Sequence, residues 1–176
     1  MVCKLANDIL KSTSCGYALN EIVEIYLANF EDVTSTAIGE PATGECEQVT
    51  AITMASGATW YKIEPSKNSA SYSDTLTVED NGRKYRVHSL TWTNPGNYDA
   101  CAHIDLDALS LGKFIAVVKD ADGSYKMLGR LGGLEASAAD LTGGNDGSGV
   151  TITLDGNAAE SVLLLSEAAV AVVVGA

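Results

Sequence analysis

Charge is what this sequence has least of. Only 19% of its 176 residues are Asp, Glu, Lys or Arg, which is low for a soluble domain. Eleven are basic against 23 acidic, for a formal net charge of −12 at pH 7. A tight nucleic-acid binder is normally basic, because Lys and Arg displace counterions condensed on phosphates. Tight DNA or RNA binding is therefore disfavoured. Histidine is scarce as well, with only His88 and His103. Cys3, Cys15, Cys46 and Cys101 form no CxxC pair and have no His at ligand spacing. That argues against structural zinc. The longest uninterrupted stretch of the apolar C-terminal run, residues 168–176, is far short of the roughly 20 residues that span a bilayer. A signal peptide needs an apolar core, and Asp8 and Lys11 stand in its place. The expectation is a chain made in the cytoplasm, with free thiols and no membrane partner.

Apolar residues, by contrast, make up 46% of the chain, which argues against disorder and is enough for one domain with a real core. With so few charges, the surface must be covered by Ser, Thr, Asn and Gly, or hidden in an assembly. The reading is an arm over residues 1–15 and a single β domain over residues 16–176.

Residues 69–133 organise that domain. Residues 75–79 and 84–93 flank Asp80-Asn81-Gly82-Arg83, and residues 113–119 and 125–131 flank Asp120-Ala121-Asp122-Gly123. Each turn sets Gly after Asn or Asp, where a positive φ is needed, between β-branched and aromatic runs. Between the two hairpins, Cys101, Ile104, Ala108 and Leu111 make one apolar stripe on a short helix over residues 99–110, with Asp99 as its N-cap. Residues 16–33 read as a strand with Ile22, Glu24 and Tyr26 on one face and Val23, Ile25 and Leu27 on the other. Residues 34–45 read as a loop, and residues 46–55 and 59–64 as a hairpin around Ser56-Gly57. Residues 134–149 read as an exposed loop, and residues 150–154 as a strand ended by Asp155-Gly156-Asn157. Residues 161–174 close the sheet as a buried strand. The sum is mainly β: an antiparallel barrel or sandwich of about nine strands with one short flanking helix, since no strand–helix alternation is present.

The residues offer little chemistry. Asp120-Ala121-Asp122-Gly123 begins like a calcium loop, but position 12 is Leu131 where a bidentate Glu is required. Gly129-Arg130-Leu131-Gly132-Gly133 lacks the Lys-Ser/Thr of a phosphate loop. Neither His88 nor His103 has a nucleophile or carboxylate placed by a motif. The expectation is a protein that is not an enzyme and needs no cofactor or metal.

The order of residues in the organising stretch is similar to one family. Ser71-Tyr72-Ser73-Asp74-Thr75-Leu76 leads into Asp80-Asn81-Gly82 and then Tyr85-Arg86-Val87-His88-Ser89-Leu90-Thr91-Trp92. The helix follows, then residues 112–120 (GKFIAVVKD), residues 123–129 (GSYKMLG) and Gly133-Leu134. This half of the chain resembles the tail-tube proteins of tailed bacteriophages, in particular phages of gut Bacteroidales. The resemblance implies a β-barrel or sandwich with a flanking helix. It implies assembly with itself into rings, usually hexameric, that stack into a tube in the virion tail. Other tail proteins would be its neighbours, and phage DNA would pass through without specific binding. The apolar C-terminal run departs from the pattern, which leaves a tail terminator or neck ring open. For a tube, part of the negative charge is expected to line the lumen, with Glu21, Glu24, Glu47, Glu64, Glu79 and Asp80 as candidates. The competing class is a carbohydrate-binding β-sandwich that stacks sugars on Trp60, Tyr61, Tyr72 and Trp92.

Overall fold

The computed structural model describes residues 21–43, 46–95, 102–142 and 149–175. Among them are eleven strands and two helices. In chain order they are β1 (Ile22–Asn29), a 3-10 turn (Phe30–Asp32), β2 (Val33–Gly39), β3 (Gln48–Met54), β4 (Tyr61–Ile63), β5 (Ser71–Val78) and β6 (Lys84–Pro95). Then follow α1 (Ala102–Leu111), β7 (Lys113–Asp120), β8 (Tyr125–Leu128), β9 (Leu134–Thr142), β10 (Gly149–Ala158), β11 (Leu163–Leu164) and α2 (Glu167–Val174). The strands pair antiparallel. Nine form one sheet in the order β11-β8-β7-β9-β10-β6-β5, with β1 joining β7 to β4, and β2 and β3 form a second. The fold is mainly β and sandwich-like, and the large sheet does not close into a barrel.

The two hairpins of the organising stretch stand where their turns put them. Gly82 and Gly123 take φ of +82° and +88°, conformations that side-chain-bearing residues rarely adopt. Around the first turn Thr75 pairs with Val87 and Val78 with Lys84; around the second Val118 pairs with Lys126.

Two cores fill the space on either side of β7. Phe114, Ala116 and Val118 face the first, with Ile25, Leu27, Leu90, Trp92, Leu134, Ile152 and Leu154. Ile115 and Val117 face the second, with Tyr26, Val49, Ile52, Met127, Leu165, Ala169 and Val173. A strand buried on both faces reads as an unbroken apolar run, as Phe114–Val118 does. In β1 the expected alternation fails at one point. The register shifts between Ile22 and Glu24, and this bulge turns Ile22 to the first core beside Ile25 and Leu27, leaving Val23 45% exposed.

Several expected boundaries are corrected. The segment after the 3-10 turn is strand, since Val33–Gly39 pairs with β3, with two register shifts. Ser56-Gly57 does turn the chain, with Ala58 N–H donating to the Ala55 carbonyl. The strands on its two sides nevertheless pair elsewhere, β3 with β2 and β4 with β1. Leu134–Thr142 is strand too. Its Ala and Ser residues have little strand preference of their own, and the ladder to β10 holds them. β10 runs through Asp155-Gly156-Asn157, where Asn157 pairs with Val87. Gly156 is there because a Cβ would sit 2.1 Å from the Gly133 carbonyl oxygen.

The largest correction is at the C-terminus, where residues 167–174 are helical. Ser166 caps the helix by accepting from Ala169 N–H, Glu167 lies in the first turn, and Gly175 ends it at φ +77°. Ala169 and Val173, one turn apart, are its buried residues.

On α1, the packing face is Leu106 and Leu109, which contact the first core, while Ala108 and Leu111 are exposed. Leu111 is 89% exposed, so the helix is rotated from the expected stripe to put its two bulkier leucines inward. Residues 1–20, with the expected arm, and Asp99 and Cys101 lie outside the described residues.

Candidate functional site

The large sheet ends on one side at β5, which has one paired neighbour, β6, among the described residues. Glu79 N–H donates to the Arg83 carbonyl and begins the ladder. Bonded pairs alternate in an antiparallel ladder, so Thr77–Tyr85, Thr75–Val87 and Ser73–Ser89 are the bonded ones. The N–H and C=O groups of Tyr72, Asp74, Leu76 and Val78 therefore point to the open side, where the Asp74 carbonyl accepts from the Arg86 guanidinium at 3.2 Å. This edge is eight residues long and has no Lys, no Pro and no register shift. Those are the devices by which strands are kept from pairing with other chains. Its one charge, Asp74, is turned to Arg86 and His88 of the adjacent strand. Leu76 and Val78 are 54% and 56% exposed. At the other end of the order β11 has only two residues, and β4, attached through β1, has three with Lys62 at their centre. A short, charged edge of that kind resists addition of a strand.

The six candidate acids stand at several places in the fold. Glu24 lies between two cations, with its carboxylate 2.7 Å from Lys62 Nζ and 3.0 Å from Lys119 Nζ, and it accepts from the Tyr26 hydroxyl at 2.9 Å. The Lys62 bond, with help from Lys119 and Tyr26, outweighs partial burial and lowers its pKa to about 2. Burial and this carboxylate push the Tyr26 hydroxyl above its ordinary value. Glu64 shares Lys62 at 2.8 Å. Glu21 accepts from Asn68 N–H, and Glu79 from the Asn81 amide, at the tip of the β5–β6 hairpin where Asp80 is exposed. Glu47 is exposed just before β3. Among the described residues Glu21, Glu47, Glu79 and Asp80 have no ion pair.

Glu24 is thus structural, and its pairing sets a pH dependence. A lowered carboxyl stabilises the fold above its ordinary value of 4.5, and the contribution is lost as pH falls toward about 2. Acid unfolding of the native chain and of Glu24→Gln should therefore converge across that window. The native chain should be the more stable at pH 5. Parallel curves from pH 5 to 2 would contradict the pairing.

The aromatic residues considered for sugar stacking are dispersed. Trp92 is 1% exposed in the first core, Tyr72 packs beside that core under Lys126, and Trp60 packs against the second core. Tyr61 is the most open, at 58%. They offer no common platform. In the Asp120–Gly123 turn, Lys126 binds Asp120, and Asp122 accepts from Ser124 N–H at 2.8 Å. Among the described residues no three of His, Cys, Asp and Glu converge as metal ligands, and no helix is long and apolar enough to cross a membrane. Cys46 is exposed and free.

His88 is a core residue. It is 1% exposed on β6. Its Nδ1 accepts from Gly129 N–H at 3.2 Å, and its Nε2 lies 3.0 Å from the Glu160 carbonyl and 3.6 Å from Asp74. Burial lowers its pKa against the pull of Asp74. Alternation along β6 assigned His88 the same side as Leu90 and Trp92, and that signal could have marked it as buried. Its partners come from chain segments 41 and 72 residues away and could not be read locally.

Compared with family models, curated proteins and solved structures, the chain matches none.

Proposed function

We propose that this chain is a virion structural protein, the subunit of a homo-oligomeric ring that stacks into the tail tube of a tailed bacteriophage. The observation that carries the reading is the open edge of β5. On an eight-residue edge strand, alternate residues from Tyr72 to Val78 present their backbone groups outward, and exposed Leu76 and Val78 on the same strand invite a strand from another copy. In this reading β5 meets a different edge of the next copy, a head-to-tail join, whereas two β5 edges meeting would close a dimer. Repetition of the head-to-tail join closes a ring or winds a filament. The resemblance adds the tail. The residues that carry it form the β5–β6 hairpin, α1 and the β7–β8 hairpin, the same unit that ends in the open edge.

In this reading DNA passes the ring without being held. Duplex DNA carries a charge about every 1.7 Å of its axis, so a basic wall would grip it at many points. Glu21, Glu47, Glu79 and Asp80, being free of cations among the described residues, are the acids that can present charge to a lumen; Glu24 and Glu64 spend theirs on lysines. Ring symmetry multiplies each such charge.

Light scattering at rising concentration tests the assembly. A ring mass or larger is expected, and a monomer throughout would contradict it. Charge reversal to Lys in the intact particle tests the conduit, one acid at a time. At a lumen position, particles should assemble normally and eject DNA more slowly, most of all at low salt. Glu24→Lys should instead lower subunit yield, because it sets three cations together. Normal assembly with unchanged ejection at all four free acids would overturn the acidic lumen.

A further inference from the structure

A head-to-tail join needs a second edge to receive β5, and the fold offers few. Among the described residues the other strands with an unpaired flank are β2, β4, β11 and the part of β9 beyond its pairing with β7. β11 has two residues and β4 three, the middle one being Lys62, held between Glu24 and Glu64. β9 has α1 beside it and carries Asp140. β2 is different. Its seven residues, Val33–Gly39, include no charge and no Pro, and β3 is its one paired neighbour. The far flank of β3 is taken by the segment leading into α2, where Val49 bridges to Leu165 and its carbonyl accepts from Ser166 N–H. The open flank of the small sheet is therefore that of β2.

Register shifts guard an edge when they break its backbone. The pairing of β2 with β3 shifts twice, but the two extra residues are on different strands. Val33 and Ser35 face the consecutive Met54 and Thr53, so the first extra residue is Thr34 of β2. The consecutive Ala37 and Ile38 face Ala51 and Val49, so the second is Thr50 of β3. β2 itself runs unbroken from Ser35 to Gly39, about the usual length of a strand.

β2 also lacks what normally fixes a strand. None of its residues is buried, and Thr34, Ser35, Ala37 and Ile38 are exposed. A two-stranded sheet has little stability of its own, and this one is held to the second core through Val49 and Ile52 of β3. A third strand beside β2 would bond its free backbone groups and cover Ile38. Charge points the same way. Copies of a chain with net charge −12 repel one another, so they must meet where free charge is absent. β2 has none, and the one charge of β5, Asp74, is engaged by Arg86. The Asp74 carbonyl, which accepts from Arg86, keeps a second lone pair for an incoming N–H. We infer that β2 is the acceptor edge: β5 of one copy adds to the free flank of β2 of the next and makes the small sheet three-stranded. The inference rests on the ring reading and adds to it the surface on which the copies meet.

The test uses two chains, each with one edge closed. Leu76→Pro closes β5. Ser35→Lys combined with Ala37→Lys, both at exposed positions, closes β2, because lysines on an edge disfavour an added strand. Each should keep the circular dichroism of the native chain; if the double change unfolds it, Ile38→Lys takes its place. In sedimentation the lysine variant should need at least about tenfold more protein than the native chain to form rings. Mixed in equal amounts, the two variants should form a dimer of unlike chains and nothing larger. Leu76→Pro keeps a live β2 and the lysine variant a live β5, so one join is left to the pair. Rings from the lysine variant at the native concentration would remove β2 from the join and leave the ring reading standing. A mixture no larger than its separate parts, at about tenfold the concentration that puts the native chain in rings, would also overturn the β5–β2 join. A native chain that stops at dimers, unaffected by the lysines, would mean that β5 meets β5. That result, or native monomers throughout, would overturn the ring reading and this inference together.

Discussion

Leu76→Pro is expected to leave the subunit folded and to abolish its assembly. Leu76 stands opposite Arg86 in an unbonded pair of the β5–β6 ladder, so its N–H points to the open edge. Proline removes that donor and sets its ring in the path of an incoming strand, yet takes no bond from the hairpin. Thr75, the residue before it, is already extended, as a residue before proline prefers to be. The change should cost the subunit about 1 kcal/mol through the shift of φ toward proline's fixed value. Loss of the join should be complete, because every copy in a ring carries the defect. Sedimentation should find the variant as a folded monomer with the circular dichroism of the native chain. Rings of normal size from Leu76→Pro would remove β5 from the interface.

Gly156→Ala carries the largest expected effect on folding. The new Cβ would meet the Gly133 carbonyl oxygen at 2.1 Å and the Gly133 carbonyl carbon at 3.1 Å. Both are backbone atoms, so no rotamer change relieves the clash. β10 must move away from the turn before β9, and it is the strand that joins β6 to β9. We expect a loss of about 3 kcal/mol, the upper end for overpacking, read as a lower urea midpoint with the slope unchanged. Ala at Gly82 should be less costly. There the Cβ meets open space, and the cost is that of a positive φ alone, about 1 kcal/mol. Equal effects at the two sites would mean that Asp155-Gly156-Asn157 is a free turn after all.

That contrast shows which parts of the fold the residues declare. The β5–β6 and β7–β8 hairpins are legible because their turns are local, with Gly82 and Gly123 in a conformation few other residues accept. Gly156 looks the same in sequence and serves the opposite purpose, close approach inside a strand, which depends on Gly133 in another segment. β2 and β9 were hidden for a related reason. Thr, Ser, Ala and Gly in these segments suggest loops, and only pairing with β3 and β10 makes them strands. α2 is a different case. Valine content argued for strand, but the caps Ser166 and Gly175 stood at the right spacing for a short helix and outweigh it.

The candidate site was less legible than the fold. Sequence distinguishes a strand but not its place in the sheet, so the exposed flank of β5 follows only from the order of its neighbours. The acids were visible as residue types. That Lys62 and Lys119 would neutralise Glu24 depends on β4 and β7 flanking β1, a pairing made across long stretches of chain.

Electron microscopy of the purified full-length protein bears most directly on the proposed role. One chain has a mass of 18.3 kDa, far too small to show a central channel alone. The account expects closed rings of uniform diameter with an open centre, stacking end to end into tubes at higher concentration. Fields of isolated particles of single-chain size at high concentration, with no rings or tubes, would contradict it.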